Sequence, residues 1–372
     1  MAVHCVIMHT IRLLYLLYSK FTEEEIMKQL NIGIIGAGRI GKVHMESITY
    51  NVPTARVLGI TDVFKDALPA LAEKYGIPKI YNDYKEMLAD EEIDAVLVCS
   101  STDTHADISI EAAQAGKHVF CEKPVDLTPE KVKAVIAAVE KAGVKLQVGF
   151  NRRFDHNFAH VRSLINEGKV GDLELIKITS RDPAPPSAEY AAVSGGMFLD
   201  MTIHDFDMAR FLAGADVTEV YVNATCLVDP AIGEAGDVVT AIINLKFENG
   251  ALGVIDNSRR AAYGYDQRIE VFGSLGAAMA ANDTPTNVTV MNAEGVTTDK
   301  PLYFFLERYM QSFRDEMIQF VDAVQNDKPT PTTGLDGLNS ILVALAAKKS
   351  VAEGRAVKIS EIGCFEFSGV SL

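Results

Sequence analysis

The stretch Ile32-Gly33-Ile34-Ile35-Gly36-Ala37-Gly38-Arg39-Ile40-Gly41 decides the fold. A short apolar run suited to a buried strand enters a G-x-G-x-x-G turn, and helical periodicity follows from Arg39 to Asn51. In that context Gly36 and Gly38 allow a tight turn and close approach of the backbone to a pyrophosphate. Gly41 lets the helix lie against the strand, and its N-terminal residues Arg39 and Ile40 carry partial positive charge toward phosphate. Asp62 ends the next strand candidate, 21 positions beyond Gly41. A carboxylate there accepts hydrogen bonds from the adenosine ribose hydroxyls and repels a 2′-phosphate, so NAD is expected ahead of NADP.

Outward from this motif, strand candidates at Asn31–Ile35, Arg56–Thr61, Ala95–Cys99, His118–Cys121 and Leu146–Gly149 alternate with helices. The helix candidates are Arg39–Asn51, Lys65–Lys74, Tyr84–Ala89, Thr104–Ala115 and Thr128–Ala142, the last with Thr128 as N-cap before Pro129. Near-continuous apolar strands separated by helices imply a parallel sheet covered on both faces. After Phe150 the texture changes. Strand-like stretches at Val217–Ala224, Val238–Phe247, Ala251–Asn257, Gln267–Phe272 and Asn287–Met291 follow one another, with Glu248-Asn249-Gly250 as a hairpin signal. Helices are expected at Asn157–Glu167, His204–Leu212, Arg308–Gln325 and Leu335–Glu353. The expected fold is therefore α/β: a dinucleotide-binding unit over 28–149, then an α+β unit over 150–372 with a large, mostly antiparallel open sheet.

With 372 residues, 48% of them apolar and 23% charged, the chain has the composition of a folded protein of more than one core. A formal charge of −15 argues against nucleic acid or an anionic membrane as partner. Cys5, Cys99, Cys121, Cys226 and Cys364 are scattered without a C-x-x-C pair, which excludes a disulfide framework or a cysteine-rich zinc site and points to a reducing cytoplasm. Val6 to Tyr18 is apolar but too short for a membrane span. Met27 stands just before the first strand, so residues 1–27 read as a dispensable extension, with an amphipathic appendage as the other reading.

Two further clusters follow predicted parallel strands and so lie at the sheet edge where such folds bind ligands: Ser100-Ser101-Thr102 with His105, and Glu122-Lys123-Pro124. Lys123 reads either as a ligand-edge cation or as a surface lysine. The third is Gly195 to Asp207, where Asp200 and His204 fall one helical turn apart. A carboxylate so placed orients an imidazole and raises its basicity, as a general base requires. Asp200 as a helix cap beside a half-buried His204 is the plainer reading. No third metal ligand accompanies the pair, and no metal is expected.

The glycine turn, Glu122-Lys123-Pro124 and the Asp200/His204 pair, in this order, resemble the glucose-fructose oxidoreductase / inositol dehydrogenase / rhizopine-catabolism family over about Lys28 to Ile359. Arg181-Asp182-Pro183-Ala184-Pro185-Pro186, Asp200 to Phe211 and Asn257 to Asp266 are similar to its inositol-oxidising members. The resemblance implies a Rossmann domain, a second domain whose open sheet often builds a tetramer, and a cytoplasmic enzyme of myo-inositol catabolism. The implied reaction is oxidation of a secondary hydroxyl of myo-inositol or a close cyclitol to the inosose, with NAD accepting hydride. Lys123 matches the catalytic lysine, Asp200 and His204 the aspartate–histidine pair, and Arg152, Asp182, Asp207 and Tyr265 fall at polyol- or cofactor-contacting positions. Oxidation of another sugar or polyol is the alternative. A non-catalytic NAD-binding sensor would be expected to lack Lys123 or His204.

Overall fold

The computed structural model describes residues 29–362. The expected extension, Cys5 and Cys364 lie outside that range. The first half builds β1 (Leu30–Ile35), α1 (Arg39–Asn51), β2 (Ala55–Thr61), α2 (Leu68–Tyr75), β3 (Lys79–Ile80), α3 (Tyr84–Ala89), β4 (Ala95–Val98), α4 (Thr102–Gln114), β5 (His118–Cys121), α5 (Pro129–Ala142) and β6 (Leu146–Val148). All strands pair in parallel in the order β3-β2-β1-β4-β5-β6. The order reverses between β1 and β4, which leaves a crevice at their carboxyl ends. Thr128 precedes α5 in extended backbone, but its hydroxyl donates to Asp126 and caps nothing.

The second half continues with α6 (His156–Asn166), β7 (Leu173–Arg181), α7 (Ala188–Val193), α8 (Met197–Asp200), α9 (Ile203–Ala213), β8 (Val217–Thr225), α10 (Pro230–Glu234), β9 (Thr240–Phe247), β10 (Leu252–Ser258), β11 (Asp266–Gly273) and β12 (Gly276–Ala280). Then come β13 (Thr289–Asn292), β14 (Gly295–Thr298), α11 (Phe305–Arg308), α12 (Met310–Gln325), α13 (Gly334–Glu353) and β15 (Val357–Lys358). Seven strands form one sheet in the order β12-β11-β7-β10-β9-β8-β15, antiparallel except where β7 lies beside β10. β7, third in that order, alternates only over Leu175–Ile178, because Glu174 and Leu175 are both exposed before it and Thr179 and Ser180 both buried after it. The stretch expected at Asn287–Met291 pairs only with β14, as a separate exposed hairpin. The single helix expected over Arg308–Gln325 breaks at Tyr309, where Arg308 turns inward to pair with Asp155.

Apolar packing ties the two sheets together. Met317, Phe320 and Val321 of α12 pack beside Ile32, Ile34, Leu97 and Phe120 of the first sheet. A second core runs from Val96, Val119 and Val148 through Leu338, Ile341 and Leu342 of α13 to Ile176, Ile178 and Ile255 of the second sheet. Cys99 and Cys121 are buried and free, as small apolar side chains are. Among the described residues no helix is long and apolar enough to cross a membrane.

Candidate active site

A cleft of about 1400 Å³ opens along the carboxyl edge of the first sheet and is closed on its far side by the second. That exceeds the usual volume for one small ligand and suits a dinucleotide with a second molecule beside it. At one end the β1–α1 turn is built for close approach. Gly36 has φ +102°, and a Cβ there would strike the backbone of Cys99 and Ser100. Gly38 faces open space, while a Cβ on Gly41 would run into the Gly36 carbonyl. No acidic residue occupies the first turn of α1, so its free amides face the cleft unopposed. Arg39 and Ile40 line the cleft, but Gly41 does not. Asp62 closes β2 and accepts from the amides of Ala37 at 2.6 Å and Phe64 at 2.8 Å, bracing the turn. This geometry fits the pyrophosphate and ribose of a dinucleotide.

Further along, the loops after β4 and β5 are joined by His105. Its ring nitrogens face the carbonyl oxygens of Pro124 at 2.8 Å and Ser100 at 3.0 Å. Ser100 shares a hydrogen bond with Thr104, and Ser101 and Thr102 open α4 at the cleft wall. Glu122 sits against the buried His44, 2.7 Å from its Nε2. His44 was not singled out in the sequence; its position on the inner face of α1 is the only signal it offers.

Lys123 projects across to α8, where its Nζ donates to the Asp200 carbonyl at 2.6 Å and stands 3.8 Å from Oδ1. Burial lowers its pKa, opposed by Asp200 and Glu122, while Arg152 and Arg259 add to the lowering. The expected Asp200–His204 contact is absent. Asp200 ends α8 and His204 lies in α9, so the two are not on one continuous helix. Asp200 instead accepts from both terminal nitrogens of Arg259 at 3.2 Å and from the Tyr190 hydroxyl at 3.1 Å. His204 lines the cleft with its Nδ1 buried and unpartnered. Burial holds its pKa well below the usual imidazole range, with Lys123 and Arg152 adding to the effect. Asp200 therefore does not raise the basicity of this imidazole.

Arg152 is buried, bonded to Asp205 at 2.5 Å and to the Tyr265 hydroxyl at 3.4 Å, and both Arg152 and Tyr265 line the cleft. Asn257 from β10 donates to the other oxygen of Asp205 at 3.0 Å. Asp182 follows β7 and lies 3.6 Å from Arg259; burial pushes its pKa up to about 6, against the pull of Arg259 and Arg152. Asp207 is the exception among the expected contacts. Its carboxylate does not line the cleft; it is gripped by Arg153 at 2.5 and 2.8 Å, and Arg153 is in turn held by Asp336 of α13. Away from the cleft, Asp155, His156 and Asp283 converge, but Arg308 already pairs with both carboxylates.

Sequence comparisons agree with this arrangement. Residues 30–150 match the profile of an oxidoreductase family described as an NAD-binding Rossmann fold, and residues 158–279 match the GFO/IDH/MocA C-terminal domain. A myo-inositol 2-dehydrogenase of Thermotoga maritima is 50% identical over 90% of this chain and 99% of its own length. The crystal structure of a myo-inositol dehydrogenase from Corynebacterium glutamicum superposes with a TM-score of 0.85 at 38% identity, covering 89% of this chain and 98% of that one. A scyllo-inositol dehydrogenase from Lactobacillus casei, solved with NAD(H) and scyllo-inositol, gives 0.84 at 32% identity, covering 90% of this chain and all of that one.

Proposed function

Because the chain belongs to the GFO/IDH/MocA family of NAD-binding oxidoreductases, we propose that it oxidises a secondary hydroxyl of myo-inositol, or a close cyclitol, to the inosose. The observation that carries this reading is the convergence of Lys123, Arg152, Asp182, Asp200, His204 and Tyr265 on the part of the cleft next to Glu122. A ring bearing a hydroxyl on every carbon needs donors and acceptors on all sides, and such a lining rejects analogues that leave those groups unpaired. NAD, when bound, accepts the hydride of the carbinol carbon. Gly36, Gly38 and the start of α1 would hold its pyrophosphate, Asp62 its adenosine ribose, and Ser100 to Thr102, His105 and Glu122 would border its path.

His204, neutral at physiological pH, takes the hydroxyl proton as the hydride leaves. Lys123 supplies positive charge to the developing alkoxide. Asp200 serves Lys123 and not the imidazole, through its carbonyl, while its carboxylate stands 3.8 Å from the amine. Arg152, Asp182 and Tyr265 hydrogen-bond the remaining hydroxyls.

We place the enzyme in the cytoplasm as a homotetramer. Supporting assembly through the open sheet, Leu175, Leu252 and Phe272 stand in register on three neighbouring strands and are all exposed. Initial rates of NAD reduction with myo-, scyllo- and chiro-inositol and glucose test the reaction; turnover of glucose alone would refute it. Light scattering of the purified protein tests the tetramer.

A further inference from the structure

Asp200 gathers donors from three distant parts of the chain. Arg259, just beyond β10, donates twice to Oδ2. Tyr190 in α7 donates to Oδ1, and Lys123 beyond β5 donates to the main-chain carbonyl while standing off from Oδ1 at 3.8 Å. The lysine is thus held by a backbone oxygen, while the carboxylate beside it is already engaged by other groups.

The two other donors differ in how they are anchored. Arg259 is 3% exposed and also borders Asp182. Tyr190 is half exposed, on a helix that packs against α10 around a small cluster of Ala191, Ile232 and Val239, apart from the main core. That segment rejoins the body through Gly195 and Gly196, at φ +87° and +78°, where Asp237 accepts from the Met197 amide at 3.0 Å.

We propose that Arg259 and Tyr190 are positioning residues that act through Asp200, occupying its carboxylate so that Lys123 stays on the carbonyl and gains no full counter-ion. The inference rests on the reading of Lys123 as the group facing the reacting oxygen. The charged groups around this amine are Glu122 beside it in sequence, Asp200 from α8, Arg152 from the turn after β6 and Arg259 after β10, with His204 across the cleft. Loss of Arg259 removes a nearby cation and frees Oδ2, so the carboxylate closes on the ammonium. Both effects favour the charged amine. Loss of the Tyr190 hydroxyl frees only Oδ1 from a neutral donor and acts in the same direction, more weakly.

Competitive acetylation of Lys123 in the full chain across the alkaline range, read by peptide mass spectrometry, reports the midpoint at which the amine loses its proton. Arg259→Gln should raise that midpoint by about one pH unit, the scale of a single charge partner gained at short range. Tyr190→Phe should raise it by less, and Arg259→Lys, which keeps the charge, should restore most of the native value. The alkaline limb of kcat should move with the midpoint while NAD affinity stays constant. Midpoints that are unchanged or lower in both Arg259→Gln and Tyr190→Phe overturn the inference. If Arg259→Gln does not fold, Tyr190→Phe alone decides by the same sign. The labelling needs no substrate. A raised midpoint in a chain that oxidises no cyclitol would sink the proposed function and leave the positioning role standing.

Discussion

Phe150 stands edge-on to His204, with 6.3 Å between ring centroids and 80° between planes. This apolar neighbour, and a buried Nδ1 with no partner, explain why the imidazole resists protonation. The acidic limb of the kcat profile should therefore lie below the free-imidazole value of about 6.5. His204→Ala should lower kcat by about 10²- to 10⁴-fold with little change in NAD affinity. Near-normal turnover with an unaltered profile would remove His204 from the chemistry. The same shift bears on stability. Below pH ~6.5 the unfolded chain takes up a proton here that the folded one resists, so stability falls as pH drops through that value.

Asp182 has the opposite sign. Its folded pKa of about 6 lies above the ordinary 3.8, so the folded state binds the extra proton and loses stability as pH rises through that window. Asp182→Asn should therefore stabilise the protein at pH 7 by about 2–3 kcal/mol, from a shift of about two units. It should also raise the polyol KM, since the carboxylate accepts from hydroxyls that an amide pairs less well. Chemical denaturation with parallel kinetics checks both; a destabilised Asp182→Asn protein contradicts the assignment.

Asp62 braces the turn through the Ala37 and Phe64 amides, and under the proposed function its negative charge would disfavour a 2′-phosphate. NAD should be preferred over NADP by at least about tenfold, ~1.4 kcal/mol. Asp62→Ser should narrow the gap and also weaken NAD, because the turn loses its brace. Equal kcat/KM for the two cofactors in the native enzyme would remove this role.

Asp207 is expected to matter for folding and not for substrate. Asp207→Ala leaves Arg153 with Asp336 as its remaining ion-pair partner, and removing one partner of a buried pair costs about 3–5 kcal/mol. Thermal melting should show that loss while the KM for polyol holds in the folded fraction. A raised KM with an unchanged Tm would return Asp207 to the substrate site.

The first sheet was legible because strands covered on both faces leave apolar runs, and the glycine turn has few other uses after such a run. β7 was hidden because its first half is open to solvent. Asp200 and His204 share a helical spacing that misleads. Between them the chain breaks, with the Thr202 hydroxyl drawn onto Asn257 at 2.7 Å and the Asp200 carboxylate drawn onto Arg259. Such pulls come from the end of β10 and the residue just after it, more than fifty positions away, and local pattern carries no trace of them. Tyr190 lies on α7, a helix of six residues, too short to leave a periodic signal in the sequence.

Helix α12 has one more consequence. It packs beside α1 and sets Phe320 edge-on to Phe120 of β5, so part of the cover on the first sheet comes from the far end of the chain. A ribosome releasing only the first half would leave Phe120 and its neighbours partly uncovered beside α1 and α2, and the nascent core must wait for the C-terminal helices to be completed. The protein should melt in one calorimetric transition, and a nick between α11 and α12 should unroof both sheets together.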